Sequence, residues 1–465
     1  MTKKIIILGG GPSGLSMAWQ IGLLKQGESA LYEKADNVGG VCGYYDFNGL
    51  KLDYGPHKIY SVLPGIMDAF RDLAGDRIKE VEKSHKIIVR GRILDYPVKL
   101  GQILSLFTLS EVIALGFSIL ATVVKKPFIK NTVSYEDYCI GIFGKKVYDT
   151  VFRSLAEKIW GDPKTLSADI ARTRIPARSV FDLIFRMIGL KKESEHTNAK
   201  FMLYPPRGFY DICECMADKV KEQGCAIHLR RKPIRFVREG NRIKSVIFDD
   251  MSEQKVDLVI SSIPLEELMG LLYPEDINAA GKYFIRMRNC MVVYFLISKP
   301  RVMEDHWIFC ADKETAFSRI SEQKLFSDMG FPGDKTVVSC DFTCDEDDAV
   351  WKEKDSDIAE RCIRDLEKLK LLGPCDVIDY RVARIPHFYP VYDIGYEKKI
   401  VALFDKINQT ENIICTGRLG LCSYNNIDHC LDMGILIAKG LAQGKQPAHI
   451  NNELLQRARS YRIID

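Results

Sequence analysis

Four apolar residues, Ile5-Ile6-Ile7-Leu8, run directly into Gly9-Gly10-Gly11-Pro12-Ser13-Gly14. This junction limits the possible folds more than any other stretch. The β-branched run predicts a short strand buried on both faces, as in a parallel sheet. Gly9, Gly11 and Gly14 stand at G-x-G-x-x-G spacing. Gly9 suits the tight turn, Gly11 lets backbone approach a pyrophosphate, and Gly14 lets a helix pack close on the strand. The helix starting near Ser13 then presents unpaired N–H groups and a positive dipole end to phosphates.

Leu15 to Leu24 predicts that helix, and Ala30-Leu31-Tyr32 a second strand ending at Glu33. Glu33 lies roughly 20 residues beyond the glycines, where an acid accepts hydrogen bonds from ribose hydroxyls. Its charge would repel a 2′-phosphate. Lys34 follows, then a second glycine pair in Asn37-Val38-Gly39-Gly40-Val41-Cys42-Gly43, then Leu52-Asp53-Tyr54-Gly55-Pro56-His57. Together these segments resemble the nucleotide-binding signature of the flavoproteins that include amine oxidases, protoporphyrinogen oxidase and UDP-galactopyranose mutase. The resemblance implies FAD. It sets Gly9, Gly11, Pro12, Ser13, Gly14, Glu33 and Lys34 at the nucleotide, with Gly39, Gly40 and Val41 against the pyrophosphate. It brings Gly55, Pro56 and His57 to the isoalloxazine.

A chain of 465 residues is too long for one core, so two or three interleaved domains are expected. The expected class is α/β. A Rossmann-type FAD-binding domain would comprise residues 1–85, 205–265 and 395–465. Strand patterns at Ala226 to Leu229, Ile234 to Val237, Ile243 to Phe248, Asp257 to Ile263 and Asn412 to Cys415 mark the returns to it. A last helix is expected from about Cys430. Residues 100–200 read as a helical insert with a mobile substrate loop, punctuated by Pro127, Pro163 and Pro176. An antiparallel sheet for substrate would take residues 86–99 and 266–394. It begins with a hairpin around Arg90-Gly91 closed by Pro97, and continues at Met291 to Ile297, His306 to Cys310, Thr336 to Phe342 and Val377 to Val382. Chain segments that leave and return imply a cleft between domains.

Net charge of +4 is too mild to imply nucleic acid. The 14 cysteines are scattered, without C-x-x-C or His-rich spacing, which favours free thiols, a reducing cytoplasm and no metal site. Ile103 to Val124 is nearly all apolar and is followed by Lys125-Lys126. It has about the length of a bilayer span. Glu111 within it, together with Gly116 and several Ser and Thr residues, argues against crossing. A buried helix is expected, with attachment to a membrane surface through residues 103–124 the next choice.

Later segments narrow the likeness. Lys158-Ile159-Trp160-Gly161-Asp162-Pro163, followed by Arg172-Thr173-Arg174-Ile175-Pro176-Ala177-Arg178, closely resembles the mobile-loop region of UDP-galactopyranose mutases. The resemblance implies that Trp160 lies near substrate and Arg174 binds its diphosphate. The match to Arg174 needs a one-residue insertion, so Arg172 is a rival. Ala316 to Ser327 resembles the stretch carrying the second diphosphate arginine, here Arg319. A planar guanidinium grips phosphate through two parallel hydrogen bonds, which lysine cannot do. Phe388-Tyr389-Pro390, Gly417-Arg418-Leu419-Gly420 and Tyr424-Asn425-Asn426-Ile427-Asp428 resemble a Tyr-Pro segment, a Gly-Arg turn at the flavin and a tyrosine beside flavin and sugar. On this likeness Tyr389 and Tyr424 meet substrate, and Gly417, Arg418, Asn426 and Ile427 meet cofactor. Two departures concern the sugar and the base: Cys422 stands where mutases often carry tyrosine, and Asn425-Asn426 where bacterial members commonly carry Asp.

The activity so implied interconverts pyranose and furanose forms of a nucleoside diphosphate sugar, as in polysaccharide biosynthesis. Reduced FAD, supplied with electrons by an external reductant, attacks the anomeric carbon through N5. Nucleoside diphosphate leaves and the ring recloses as furanose. Such chemistry needs charge stabilisation on the departing diphosphate, from Arg174 and Arg319, more than a strong base. His57 is the side chain nominated for proton handling or flavin electronics. The alternative is an FAD-dependent oxidoreductase of the protoporphyrinogen-oxidase or amine-oxidase type, which shares every FAD motif.

Overall fold

The computed structural model describes residues 3–96, 98–125, 132–175, 182, 185, 199–275, 285–328, 330–373 and 375–463. Its first strand, β1 (Lys4–Leu8), is the middle of a five-stranded sheet of order β19-β13-β1-β2-β9. The others are β2 (Glu28–Tyr32), β9 (Ala226–His228), β13 (Leu258–Ser261) and β19 (Ile413–Cys415). Every neighbouring pair is parallel. Ile5, Ile6, Ile7 and Leu8 are all buried, as their unbroken apolar run requires. Helix α1 (Pro12–Leu23) covers the sheet and packs on α4 (Tyr210–Glu222) and α5 (Ile427–Ala442). Helix α5 starts one turn earlier than the sequence pattern suggests, because Asn426 and His429 form a reciprocal capping box before its first turn.

A small antiparallel sheet, β10 (Pro233–Glu239), β11 (Arg242–Phe248) and β12 (Glu253–Lys255), fills the sequence between β9 and β13. Strand β12 is exposed throughout, so its Glu-Gln-Lys sequence carries no apolar alternation to betray it.

The third sheet has seven strands in the order β18-β14-β17-β16-β15-β6-β7. They are β6 (His85–Val89), β7 (Arg92–Asp95), β14 (Met287–Ile297), β15 (Trp307–Cys310), β16 (Arg319–Glu322), β17 (Thr336–Cys344) and β18 (Val377–Pro390). The expectation of a wholly antiparallel sheet is corrected at one place, where β15 and β6 run parallel. The β6–β7 hairpin comes from far upstream and docks on the free edge of β15, so no tight turn sets its direction. Arg90 and Gly91 both take positive φ at the hairpin tip, which matches the twist of its strands. Strand β18 runs well past Val382: Arg384 interrupts its apolar pattern yet still pairs with Met291, and an irregularity around His387, whose φ is positive, shifts the register before Tyr389 pairs with Arg288. Two short pairs complete the strands: β3 (Tyr44–Phe47) with β4 (Leu50–Asp53), and β5 (Lys79–Glu82) with β8 (Phe201–Tyr204).

The apolar stretch is not one buried helix. A short helix, Leu100–Leu104, ends before α2 (Leu109–Lys125) begins. Leu109, Ile113 and Phe117 are 78, 52 and 67% exposed, whereas Leu115 is buried. Spacing of four residues sets the exposed three on one side of the helix, and only the opposite side leans inward. Glu111 is held by Arg90, whose Nη2 donates to it at 2.8 Å. Among the described residues no helix is long and apolar enough to cross a membrane. The insert also contains α3 (Ala168–Arg174), capped by the Ser167 hydroxyl. Readings at Pro97, Pro127, Pro176, Ala177, Arg178 and positions 186–198 lie outside the described residues.

All fourteen cysteines are free thiols, and all but Cys375 are buried.

Candidate functional site

Two cavities meet at the carboxyl ends of the parallel strands. The first, of about 280 Å³, is lined by Gly9, Gly11, Pro12, Ser13, Glu33, Lys34, Gly40 and Val41. Gly39 N donates to Gly10 O at 2.9 Å, which docks the second glycine pair on the first loop. The two key glycines differ in purpose. A Cβ on Gly14 would lie 1.9 Å from Gly9 O, so close packing demands glycine there. A Cβ on Gly11 would meet nothing nearer than Gly40 Cα at 3.9 Å, and its φ of −73° suits any residue. Protein packing therefore does not explain Gly11, whereas a ligand in the cavity does.

Glu33 is fixed by two backbone donors, Gly10 N at 2.6 Å and Ala35 N at 2.8 Å. Its remaining lone pairs are left for hydroxyl donors. Lys34 pairs at the rim with Glu267. Sequence reasoning missed Arg231, Lys232, Pro233, Ile385, Pro386 and His387 in this lining. It also missed Ser262, Ile263 and Pro264, although a signal existed: they directly follow β13, and ligands of open parallel sheets sit beyond the carboxyl ends of strands.

Val41, Cys42, Arg418, Asn426 and Ile427 line both cavities. The second, of about 120 Å³, adds Pro56, His57, Arg174, Arg319, Tyr389 and Tyr424 from the sequence reading. It also adds Tyr54, Lys58, Phe209, Trp307, Phe309, Phe388 and Ile463, to which that reading gave no role; Trp307 and Phe309 belong by pattern to a core strand. Its lining includes Lys58, Arg174, Arg319 and Arg418, many aromatic rings and no acid. Gly14, Gly39, Gly55 and Gly417 line neither cavity and shape the backbone behind them.

Arg174 ends α3 with its guanidinium 4.4 Å from the Tyr424 ring centroid and 5.2 Å from that of Trp160. Trp160 is buried one layer back and donates its indole N–H to the Tyr424 hydroxyl at 3.4 Å. Tyr424 stacks on Tyr389 at 5.2 Å. Arg172 lines neither cavity. It pairs with Asp169 at 2.7 Å, so of the two rival arginines Arg174 is the one at the cavity. Cys422 is buried in a turn and also lines neither cavity.

Arg319 is not a lone cation. Its Nε and Nη2 reach Asp341 Oδ2 at 2.7 and 2.6 Å. Arg418 donates from Nε and Nη2 to Asn425 O and from Nη1 to Phe388 O, so it braces the two walls. The His57 ring stacks on Phe209 at 4.9 Å. Burial, with the charges of Arg319 and Arg418, pushes the His57 pKa down to about 3. It is a neutral imidazole at ordinary pH and brings no positive charge to the cavity. Burial pushes the Tyr389 hydroxyl up to about 12, so it stays protonated.

These features fit FAD. The glycine cradle is open where a pyrophosphate needs approach, and five shared residues join it to an aromatic, cationic chamber. His57 Nδ1 is buried there without a hydrogen-bond partner among the described residues. Such an orphan is explained by a ligand bearing ring carbonyls or N–H groups.

Comparison with known proteins agrees. Residues 7–73 match the family description of an NAD(P)-binding Rossmann-like domain. The fold and site thus define a dinucleotide-binding protein of the flavin-dependent mutase and oxidase fold. Among known proteins the chain is 25% identical over 458 residues to a probable UDP-galactopyranose mutase of Klebsiella pneumoniae, covering 94% of this chain and 93% of that one. It is 21% identical to a coproporphyrinogen III oxidase of Staphylococcus aureus over 88% of this chain and 93% of that one. Among solved structures, reduced UDP-galactopyranose mutase superposes with a TM-score of 0.84 over 100% of both chains at 19% identity. A putative protoporphyrinogen oxidase from Exiguobacterium superposes at 0.74 over 96% of this chain and 100% of that one, at 16% identity. The likeness to UDP-galactopyranose mutases read from the motifs is borne out over nearly the whole chain.

Proposed function

We propose that the protein is an FAD-dependent nucleotide-sugar mutase that interconverts pyranose and furanose forms. The observation that carries this reading is the acid-free chamber in which Arg174 lies over both Trp160 and Tyr424 while Arg319 enters from the opposite sheet. Aromatic faces suit sugar and base, and guanidinium groups suit a diphosphate. Similarity to a mutase over nearly the whole chain supports the same choice.

Bound reduced flavin supplies the nucleophile toward the anomeric carbon. Arg174 and Arg319 bond the phosphate oxygens and stabilise the charge that grows on the departing diphosphate. Tyr389 and Tyr424, stacked on each other, hold the sugar beside the cofactor. Arg418 fixes the Phe388 and Asn425 backbones, so both walls keep their spacing as charge moves. Neutral His57 supplies a polar edge to the isoalloxazine rather than a positive charge.

A second reading, a flavin-dependent oxidase, draws on the coproporphyrinogen III oxidase relative. The same cations would then hold substrate carboxylates. The deciding experiment incubates the purified protein with UDP-galactose and other nucleotide sugars, with and without dithionite, and separates the products by chromatography. Conversion only with reduced flavin supports the mutase. Failure with every nucleotide sugar, together with oxygen uptake on a tetrapyrrole or amine, supports the oxidase.

A further inference from the structure

Arg319 and Asp341 face each other across β16 and β17. One carboxylate oxygen, Asp341 Oδ2, takes both Arg319 contacts. The other, Oδ1, is buried and has no hydrogen-bond partner among the described residues. Arg319 lines the second cavity while Asp341 lies behind it. A Cβ on Gly55 would come within 2.8 Å of Oδ2, so the turn before His57 closes directly over the pair. One cavity cation therefore arrives already matched by an internal anion.

A phosphate settling on Arg319 gives that guanidinium two anions in a water-poor place. Its five N–H donors are enough to bond both, but geometry does not balance the charge. Two unit charges about 5 Å apart, at an effective dielectric constant of about 20, raise the pKa of an acid by roughly two. We propose that diphosphate binding at Arg319 is coupled to the uptake of one proton from solvent by Asp341, on Oδ1. Carboxylate plus proton gives the neutral acid. Arg319 keeps its bond to Oδ2, its charge passes to the ligand phosphate, and the proton returns to solvent on release. This coupling rests on the diphosphate reading above.

Burial already lifts Asp341 above the ordinary carboxylate range, against the pull of Arg319. The other groups around it hold their protons. Cys290 and Tyr294 on β14 and Cys340 on β17 are pushed well above their usual values by burial. Cys310 on β15 is raised as well, Tyr389 on β18 lies at about 12, and His57 is already neutral. The one rival is Asp53, which burial lifts to about 7 and which Tyr204 and Phe209 N both bond.

Titration calorimetry tests the coupling on oxidised holoenzyme, which does not turn over. The probe is UDP-galactose, whose diphosphate diester carries no titrating proton from about pH 6 to 9. Each titration is run in two buffers of different ionisation enthalpy. Proton uptake that peaks at somewhat under one per site, with Kd rising by up to about a hundredfold across the interval between the free and bound pKa values, is expected for the wild type. Asp341→Asn should bind without proton uptake and with a flat pH profile, and Asp53→Asn should keep the uptake. Wild-type binding without proton uptake overturns the coupling, as does uptake that survives in Asp341→Asn and disappears in Asp53→Asn. If Asp341→Asn does not fold, the wild type and Asp53→Asn decide together: no uptake in the wild type, or its loss in Asp53→Asn, overturns the coupling. No binding at any pH would instead remove the diphosphate reading, and the coupling with it.

Discussion

The indole of Trp160 donates to the Tyr424 hydroxyl at 3.4 Å, across 264 positions of sequence, and the Arg174 guanidinium lies over both rings. This ties the end of the helical insert to the turn that closes the second cavity. Arg174→Ala should therefore weaken nucleoside diphosphate binding roughly 10- to 100-fold, the loss of one charge-assisted contact of about 1.5 to 3 kcal/mol. Arg172→Ala should change it by less than about twofold, because that side chain pairs with Asp169 outside both cavities. Arg174→Lys should recover only part of the loss, since charge remains but the planar fork does not. Fluorescence titration with the flavin spectrum as an internal control measures all three. Equal losses in Arg172→Ala and Arg174→Ala would contradict the assignment.

Gly11 and Gly14 should fail differently. Gly11→Val places its Cβ in the open cradle, with Gly40 Cα the nearest protein atom at 3.9 Å, so a soluble, folded, colourless protein is expected. Gly14→Val drives a Cβ into Gly9 O and should abolish soluble expression. Absorbance at the flavin bands and a far-UV melt separate the outcomes. A yellow Gly11→Val protein would mean that the cradle does not receive the pyrophosphate.

Two buried groups should oppose each other in acid. Asp53 rises from an unfolded value of about 3.9 to about 7, so its stabilisation is complete below about pH 4 and is lost as pH rises through 7. His57 falls from about 6.5 to about 3, so its stabilisation is present above about pH 6.5 and is lost as pH falls toward 3. Each amounts to something on the order of 4 kcal/mol, and the signs cancel between about pH 4 and 6.5. Urea unfolding of the wild type should vary little there. Asp53→Asn should gain stability with rising pH across that window, and His57→Phe should lose it. Parallel curves for all three proteins would refute both assignments.

The cofactor half was legible because its constraints are local. Ile5 to Gly14 encode strand, turn and helix in one contiguous run, and the spacing of Gly9, Gly11 and Gly14 gives each a reason, close packing at Gly14 and room for a ligand at Gly11. The chamber was legible only through family likeness, which pointed to Arg174, Arg319, Tyr389 and Tyr424. Trp307 and Phe309 were hidden because a strand that lines a cavity has the same alternation as one that fills a core. Asp341 was hidden for another reason: its partnership with Arg319 arises from the cross-strand register of β16 and β17, which sequence spacing does not encode. The apolar run at α2 misled because length and composition do not say which faces find a partner.

Arg286, at the threshold of β14, should prove to be the fastening between the helical insert and the large sheet. Its Nε and Nη2 grip Asp393 at 3.2 and 2.9 Å, Nη1 reaches Asp345 at 3.1 Å, and Nη2 also donates to Trp160 O at 3.3 Å. Backbone bonds continue the seam, from Ser167 N to Tyr392 O at 2.7 Å and from Ile394 N to Thr165 O at 2.8 Å. Among the described residues, Arg286→Met would leave Asp345 with Arg288 at 3.6 Å and Asp393 without the cation that grips it. The side chain is 26% exposed, which screens part of the cost, so a loss of about 1 to 3 kcal/mol is expected rather than the larger penalty of a fully buried pair. Arg286→Lys should recover less than half, because one ammonium cannot reach Asp393, Asp345 and Trp160 O together. The fastening also holds Trp160, so Arg286→Met should speed proteolysis between residues 160 and 175 and weaken nucleoside diphosphate binding several-fold with FAD still bound. Unfolding in urea and timed proteolysis test this together. Lower stability with unchanged cleavage of that segment would show that Arg286 supports the sheet alone and does not hold the arm that carries Arg174.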